Sequence, residues 1–509
     1  MSVLSDHIVI APLLVPLLAG ILLVLMRGSA TLLRRNLSML GVQALFAVSL
    51  MLLLQVLDGQ LLVYQLGAWP APFGIVLVAD RLSAMMVLLT SVLAFLVMLH
   101  AIHGSDRKGR QFHVLFQFQL FGLNGAFLTG DLFNLFVFFE VLLIASYGLL
   151  LHGGGAGRSR AGLHYVVINL VGSALFLFAV GTLYGVLGTL NMADLSLRIV
   201  ALPENDRELV RAGGLLLMLV FALKAALAPL HLWLPSAYAS AGPAAAALFA
   251  IMTKVGAYAI VRVYTLVLAP GAEGLAELVP SLLLGLGLVT IVVGTVGVLA
   301  SRGLALMVAY LVLVSSGTLL SAFGIGGVEA MTAGLYYLLH STLVAAALFL
   351  LTDNVADTRG RFRDRLEPGP LLPAANLLGG LFLVLAVAVV GLPPLSGFIG
   401  KVLILQAGLT NAWMPWILAV VLITSLLTLT AVVRAGSTLF FKTESKAGAA
   451  KLPDMAFLVP VIVFAVLIMG LVIYAGPIYD FVRATAEQLA DPASYIEGVL
   501  GDAPGSRRP

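Results

Sequence analysis

Long apolar segments dominate the chain, and short polar stretches separate them. Fourteen segments are long enough to cross a bilayer, which takes about 20 mostly apolar residues in a helix. They lie near residues 7–26, 36–56, 82–102, 112–130, 132–151, 164–188, 213–233, 242–266, 278–299, 303–323, 329–352, 371–408, 412–438 and 455–476. The pattern predicts an all-α polytopic membrane protein with about fourteen transmembrane helices. Residues 485–500 are expected to form an interfacial helix with a frayed end.

Two predicted spans contain prolines close to a lysine. Pro229 follows Lys224, and the double proline at 393–394 precedes Lys401. Because proline removes a backbone donor and disrupts the helical ladder, both spans are expected to be broken helices. They lie five spans apart, which predicts two five-helix repeats, spans 4–8 and 9–13. Since five is odd, the repeats are inverted relative to each other. The alternative is two unrelated proline kinks.

The repeats suggest a division of the chain into four parts. Residues 1–110 hold the first three spans, and residues 111–268 and 277–440 are the two predicted repeats. Residues 455–509 hold the last span and a tail.

Composition supports the membrane assignment and excludes several functions. The 509 residues are 61% hydrophobic and 10% charged, which no ordinary soluble domain matches. The absence of cysteine excludes thiol catalysis, disulfides and cysteine-ligated clusters within this chain. The net charge of +4 gives no sign of nucleic-acid binding. The first apolar run has no basic region before it, so it is expected to be a retained span and not a signal peptide.

The cations are distributed unequally between the predicted loops. Seventeen lie on the side reached after odd-numbered spans, and eight lie on the other side. The positive-inside rule therefore predicts that both termini lie outside the cytoplasm. The remaining three cations, Lys224, Lys254 and Lys401, fall inside predicted spans.

One carboxylate also falls inside a span. Glu140 lies in the middle of the fifth span, and Asp131, a candidate accessory residue for transport, lies at the start of the same helix. Charged residues at this depth are costly and usually functional. Lys224 is the natural partner for Glu140, and Lys254 lies at a similar depth in the next span. The alternative is an ion pair that only fixes helix packing.

Two histidines extend this set of polar groups. His340 lies in the middle of the eleventh span and suits either a proton relay or a packing role. His231 follows Pro229 and suits either an entrance or a cap for the break. No cluster with metal-ligand spacing and no phosphate-binding loop appears, so no cofactor is expected.

Three stretches carry a family resemblance: TGDLFNLFVFFE at 129–140, KAALAPLHLWLPSAYASAGPAAAALFAIMTKVGAY at 224–258 and GLPPLSGFIGKVLILQAG at 391–408. They resemble the antiporter-like subunits shared by respiratory complex I, membrane-bound hydrogenases and Mrp-type antiporters. The resemblance implies fourteen helices with two inverted five-helix repeats. It also implies a carboxylate–lysine pair at Glu140 and Lys224, a central relay at Lys254 and His340, and a terminal residue at Lys401.

Within that family, FNLFVFFEVLLIASYGLL and DPASYIEGVL are most similar to the D subunits of Mrp multisubunit cation/proton antiporters. This resemblance implies a prokaryotic cell membrane, partner subunits of the Mrp A, B, C, E, F and G types, and transport of H⁺ with Na⁺ or K⁺. One departure is visible. Ala305 and Leu306 stand where relatives often have basic residues, so roles assigned to those positions do not transfer.

These observations favour a secondary transporter subunit, and not an enzyme. It would relay protons along Lys224, Lys254, His340 and Lys401, with Glu140 as the switch on the first lysine. The first alternative is a proton-pumping subunit of a redox-driven complex. The second is a scaffold that conducts no ions.

Overall fold

The structure, a computed structural model, describes residues 7–26, 30–203, 207–271, 274–442 and 454–501. Within these residues the chain is mostly helical. Five cations used to predict the orientation lie outside them: Arg27, Lys446, Lys451, Arg507 and Arg508.

The first part of the chain contains three helices and a hairpin. The helices are α1 (Ala11–Leu25), α2 (Thr31–Val56) and α3 (Arg81–Ala101). Strands β1 (Leu62–Gln65) and β2 (Val76–Ala79) pair antiparallel between α2 and α3, with Leu62 opposite Ala79.

The middle of the chain forms eight helices, and an irregular break between Lys224 and Trp233 interrupts one predicted span. They are α4 (Phe112–Leu128), α5 (Leu132–Leu151), α6 (Ala156–Leu187), α7 (Met192–Ala201), α8 (Arg207–Lys224), α9 (Trp233–Ser240), α10 (Pro243–Phe249) and α11 (Met252–Val263). A π-helical turn, Tyr264–Leu268, extends α11.

The last part contains nine helices and a second break. They are α12 (Leu275–Ala300), α13 (Leu304–Ile325), α14 (Gly327–Thr358), α15 (Ala375–Val390), α16 (Ser396–Ala407), α17 (Met414–Gly436), α18 (Met455–Ile473), α19 (Ala475–Ala490) and α20 (Pro492–Leu500). A π-helical turn, Ser437–Phe441, extends α17.

Ten helices of the described residues are long and apolar enough to cross a membrane. They include α10 and α11, which run as one 26-residue unit from Pro243 to Leu268. The other four predicted spans correspond to the shorter α1 and α4 and to the interrupted pairs α8–α9 and α15–α16. The structure is therefore a helical membrane protein, and the count of fourteen spans stays a prediction.

The chain is mostly helical, as predicted, but β1 and β2 form a hairpin between α2 and α3 that the sequence did not indicate. Each strand has only four residues, which is too short for a spanning segment. The eight cations counted on the second set of loops included Arg262, and that assignment is wrong. Arg262 lies in α11, and its guanidinium Nη2 is 2.7 Å from Asp80 Oδ2. A paired charge can be buried where an unpaired one cannot.

A second group of buried charges ties the loop after α3 to the bundle. Arg35 donates two hydrogen bonds to Asp106, and His113 lies 3.3 Å from the same carboxylate. Burial raises the pKa of Asp106, but His113 and Arg35 lower it more, and the result is well below the usual range. His100 lies 3.1 Å from Asp353. His100 and His113 are thus buried, although both lie near the ends of predicted spans, where side chains often reach solvent.

The predicted break in the seventh span is present between α8 and α9. Its freed backbone groups have partners inside the protein. The amide of Ala228 donates to Thr290 Oγ1 at 2.9 Å, and Ser316 donates to the carbonyl of Ala225. Trp233 Nε1 donates to the carbonyl of Leu223 at 3.1 Å. Irregular backbone at membrane depth is tolerated where protein covers it in this way.

The most buried spans lie at the centre of the bundle. In their most apolar 18-residue windows, Pro243–Leu268 is 100% buried and Gly327–Thr358 is 94% buried, compared with 33% for α2 and for α18. The two central spans carry Lys254 and His340. The fold therefore places these two side chains as far from lipid as it can.

The hydrogen bond between Thr290 and the backbone of the break leads to a prediction about stability. Thr290→Val leaves the buried amide of Ala228 without its acceptor, which costs about 1–3 kcal/mol. Thr295→Val is the matched control, because Thr295 is buried on the same helix and bonds only the carbonyl of Ile291 in the described structure. Thermal unfolding of the purified complex in detergent would compare them. Equal melting temperatures for the two variants would contradict the covering role.

Candidate functional site

Glu140 lies in α5 and faces α6. Its carboxylate accepts a hydrogen bond from the hydroxyl of Ser173, and the side chain is half-buried. Asp131 begins the same helix, where its Oδ1 accepts from the amide of Asn134 at 2.8 Å. Asp131 is thus the N-cap of α5. This contact gives Asp131 a structural role, and its predicted accessory role in transport stays untested.

Lys224 is the last residue of α8, directly before the break. Only 4% of it is exposed, and its ammonium donates to Asn169 Oδ1 at 3.2 Å and to the Asn169 carbonyl at 3.4 Å. A cation in the last turn of a helix is favoured by the helix dipole. The end of α8 therefore suits a positive charge even at this depth.

The structure does not join Glu140 directly to Lys224. Among the described residues the carboxylate bonds to Ser173 and the ammonium bonds to Asn169. These two partners lie four residues apart on α6, so they share one face of that helix. The predicted pair is thus bridged by one turn of α6.

Lys254 lies near the start of α11 and is fully buried. Its ammonium donates to Ser315 Oγ at 3.3 Å, and the next residue of α13, Ser316, bonds the carbonyl of Ala225. The backbone of α11 also approaches the break closely at Gly256. A Cβ added there would lie 2.5 Å from the amide nitrogen of Ala225. Two consecutive serines therefore link Lys254 to the residue after Lys224.

His340 is buried in the middle of α14, with 1% exposure. Its Nδ1 is 2.8 Å from the hydroxyl of Ser396, the first residue of α16, and either atom can be the donor. Gly397 allows this approach, because a Cβ there would lie 2.7 Å from His340 Nε2. The second break thus brings α16 against the relay histidine predicted from the sequence.

Lys401 lies on α16, one turn beyond Ser396, and is half-buried. Its ammonium donates to the carbonyl of Val390 and to Ser425 Oγ, both at 2.7 Å. Val390 is the last residue of α15, so this charge also lies at a helix C-terminus. Lys224 is itself the last residue before its break, whereas Lys401 follows its own break and its ammonium reaches back to the last carbonyl of α15.

The other predicted residue of the site, His231, lies within the first break. It is 9% exposed, and its Nδ1 has no hydrogen-bond partner in the part of the chain that the structure describes. The contacts therefore do not decide between an entrance and a cap.

The sequence missed the neutral groups that hold the charges. Asn169, Ser315, Ser396 and Ser425 each contact a predicted site residue, and none was singled out. Serine and asparagine are common in membrane helices and usually bond their own backbone, so their type alone gives little signal. The spacing of Asn169 four residues before Ser173 was the one visible hint. No hydrogen bond joins Ser315 to His340 within the described residues.

The arrangement contains titratable groups and hydroxyls but no site for a metal. Among the described residues, no group of three or more His, Cys, Asp or Glu side chains is placed to hold an ion. Lysine, histidine and carboxylate side chains that alternate with hydroxyl groups can bind and release protons. These side chains are therefore of the kinds that proton transfer uses.

Known proteins resemble this chain over nearly its whole length. The profile of the family described as NADH:quinone oxidoreductase/Mrp antiporter, TM, matches residues 129–428. The chain is 41% identical to the D subunit of a probable K(+)/H(+) antiporter of Rhizobium meliloti, over 97% of this chain and 98% of the relative. It is 36% identical to the D subunit of the Na(+)/H(+) antiporter of Bacillus subtilis, over 97% and 99%.

A solved structure has the same fold. A chain of the Mrp complex from Dietzia sp. DQ12-45-1b superposes with a TM-score of 0.87 at 26% identity, over 98% of this chain and 100% of that chain. The profile match covers more than half of the sequence, and the curated relatives align over nearly all of it. The chain belongs to the NADH:quinone oxidoreductase/Mrp antiporter transmembrane family.

Proposed function

We propose that this chain is the proton-translocating subunit of a multisubunit monovalent cation/proton antiporter. Its relatives are named as D subunits of Na⁺/H⁺ or K⁺/H⁺ antiporters, so the chain is a transporter component with other subunits as partners. The observation that carries the proton route is a set of three lysines at or near two helix breaks, two of them buried and Lys401 half-buried. Each is bonded to neutral hydrogen-bonding groups.

The proposed route begins at Glu140 and ends at Lys401. Protons move from Lys224 past the serines of α13 to Lys254, and then by way of His340 and Ser396 to Lys401. Hydroxyl groups both donate and accept, so they can pass a proton between cations. Water would carry the step from Ser315 to His340, where the described residues form no direct bond.

The Glu140–Lys224 pair acts as the switch in this scheme. In the structure, the two side chains bond to different residues of α6, which corresponds to an open pair. Closing the pair brings a negative charge to the ammonium and favours its protonated form. Opening it again favours release of the proton toward Lys254. Proton movement would therefore follow the rearrangement of side chains against one turn of α6.

The inverted repeats are proposed to span residues 111–268 and 277–440. Several features that occur once in each range support this division. Each proposed repeat contains one broken helix, α8–α9 or α15–α16, and each ends in a π-helical turn. Each also has an isolated β-bridge between the loop after its first helix and the loop after its third. These bridges are Asp131 with Asn191 and Gly303 with Arg365.

The main alternative is a proton-pumping subunit of a redox-driven complex, since the family includes such proteins. The second alternative is a scaffold that conducts no ions. Purification of the native complex separates the first two, because iron–sulfur or flavin-bearing partners identify a redox complex. The similarity to the D subunits of antiporters over 97% of the chain favours the antiporter.

The excess of cations on one set of loops supports a cell-membrane orientation with both termini outside the cytoplasm. We expect single cysteines at Arg158 and Arg363 to react only with a membrane-permeant reagent in intact cells. The chain contains no cysteine, so no background is present. A cysteine at the exposed Arg198 is the control, because it should react with an impermeant reagent from outside. The reverse pattern would overturn the orientation.

The switch predicts that Glu140→Ala abolishes exchange while assembly survives. Without the carboxylate, the charged state of Lys224 is less favoured, and we expect exchange to fall at least about tenfold. Glu329→Ala is the control, since that carboxylate is exposed and contacts Tyr479 and Arg483. Fluorescence quenching in membrane vesicles measures exchange, and blotting measures assembly. Wild-type exchange in Glu140→Ala would refute the switch.

The end of the route predicts an unusual result for a conservative substitution. Lys401→Arg keeps the positive charge, but arginine does not release its proton in the working pH range. We therefore expect Lys401→Arg to assemble and to lose exchange nearly as completely as Lys401→Ala. Lys442→Arg, at an exposed lysine, is the control. Near-normal exchange in Lys401→Arg beside an inactive Lys401→Ala would reduce Lys401 to a fixed charge.

A further inference from the structure

The proposed proton route leaves one buried ion pair unused. Arg262 and Asp80 join α11 to the start of α3, with Nη2 2.7 Å from Oδ2 and side-chain exposures of 5% and 3%. Asp80 also caps α3 by accepting from the amide of Ser83. This pair is buried as deeply as the lysines of the route, but each charge meets an opposite charge.

The pair lies on the same helix as Lys254. Lys254, Tyr258 and Arg262 are spaced four residues apart on α11, so they lie along one side of the helix over about 12 Å. All three are buried. Arg262 Nε donates to the Tyr258 oxygen at 3.4 Å, and that hydroxyl donates to the carbonyl of Phe127 at 2.7 Å. A polar row thus leads from the central lysine to the ion pair.

The C-terminal helices cover the far side of the pair. The ring of Tyr495 on α20 lies 5.3 Å from the guanidinium carbon of Arg262. Beside it is a cavity of about 10 Å³, the size of a single water site. Both apolar and polar side chains line this cavity, and the polar ones include Asp80, Arg262, Gln488 and Tyr495. The row that starts at Lys254 therefore ends beneath α20, on the face that also carries the hairpin.

We propose that the Asp80–Arg262 pair is an electrostatic plug that closes Lys254 off from this face of the protein. Arginine stays protonated at every working pH, so it cannot accept a proton from Tyr258 or from water. A fixed positive charge in a narrow path repels protons and cations. Asp80 keeps that charge in place, and Tyr495 covers it. The plug would force protons at Lys254 to move along the membrane toward His340 instead of across it.

This inference rests on the proposed function, since it assumes that Lys254 carries protons. A buried ion pair gives little net stability over neutral groups of similar size. Packing alone therefore does not explain why these two charges are buried together. Neutral side chains of similar size could fill a packing role, whereas a barrier to protons requires the charge of Arg262. Neutral substitutions can therefore distinguish the two roles.

The test replaces both charges, because removing one would leave the other buried and unpaired. Asp80→Asn with Arg262→Gln keeps hydrogen-bonding groups, and asparagine is also a good N-cap for α3. The full complex is reconstituted in proteoliposomes with an imposed pH gradient, without Na⁺ or K⁺. We expect the gradient to collapse about tenfold faster than in wild type, a change equivalent to about 1.4 kcal/mol in a barrier.

Two further variants define what the leak depends on. Arg262→Lys keeps a positive charge, and the neighbouring carboxylate of Asp80 favours the protonated form of that lysine. We therefore expect this variant to leak protons nearly as slowly as wild type. Adding Lys254→Ala to the neutral pair should abolish the leak, because the leak would pass through that lysine. The control is Asp194→Asn with Arg198→Gln, which should not change the gradient. It neutralises an ion pair on α7 in which Arg198 is exposed and Asp194 is partly covered.

Three results would overturn the plug. The first is a wild-type gradient in the assembled neutral pair, and the second is a leak that Lys254→Ala does not reduce. The third is a leak in Arg262→Lys as large as in the neutral pair. Each of these results comes from the proton-leak assay, which is independent of the cation/proton exchange measured in the Glu140 and Lys401 variants. Failure of the plug is therefore distinguishable from failure of the proposed function.

Discussion

The structure depends on one constraint: polar groups that leave the water must find partners within the protein. The break after α8 frees backbone groups at membrane depth, and Thr290, Ser316 and Trp233 satisfy three of them. Thr290 and Ser316 belong to α12 and α13, the first two helices of the second proposed repeat. The two halves of the chain therefore fold as one unit, because one half completes the interrupted backbone of the other.

The same constraint bears on the positions of Lys224 and Lys401. Lys224 is the last residue of α8, and the ammonium of Lys401 bonds the last carbonyl of α15, where helix carbonyls supply negative partial charge. Breaking a transmembrane helix creates such an end in the middle of the bilayer. Proline and lysine therefore occur together for a physical reason: the break that proline causes creates the place where a lysine charge is tolerated.

The sequence predicted the parts of this arrangement that depend on residues with a high free-energy cost inside a membrane. Charges inside apolar segments and prolines near lysines are rare, so Glu140, Lys254 and the two breaks could be identified directly. The neutral partners could not, because Ser315 and Ser396 resemble many other serines in membrane helices. Arg262 was misplaced because its partner Asp80 is 182 residues away. A lone charge at the end of a predicted span looks like part of a loop.

The buried cations of this chain differ in what they are paired with, and this difference suggests how they differ in function. Lys224, Lys254 and Lys401 donate to amide, hydroxyl or carbonyl oxygens, and none of them has a carboxylate partner in the described structure. Neutral partners stabilise an ammonium less than a carboxylate does, so the proton can be lost. Arg262 has Asp80 at 2.7 Å, which holds its charge permanently. On the proposed route, the three lysines would be the cations that release a proton, and Arg262 would be the one that never does.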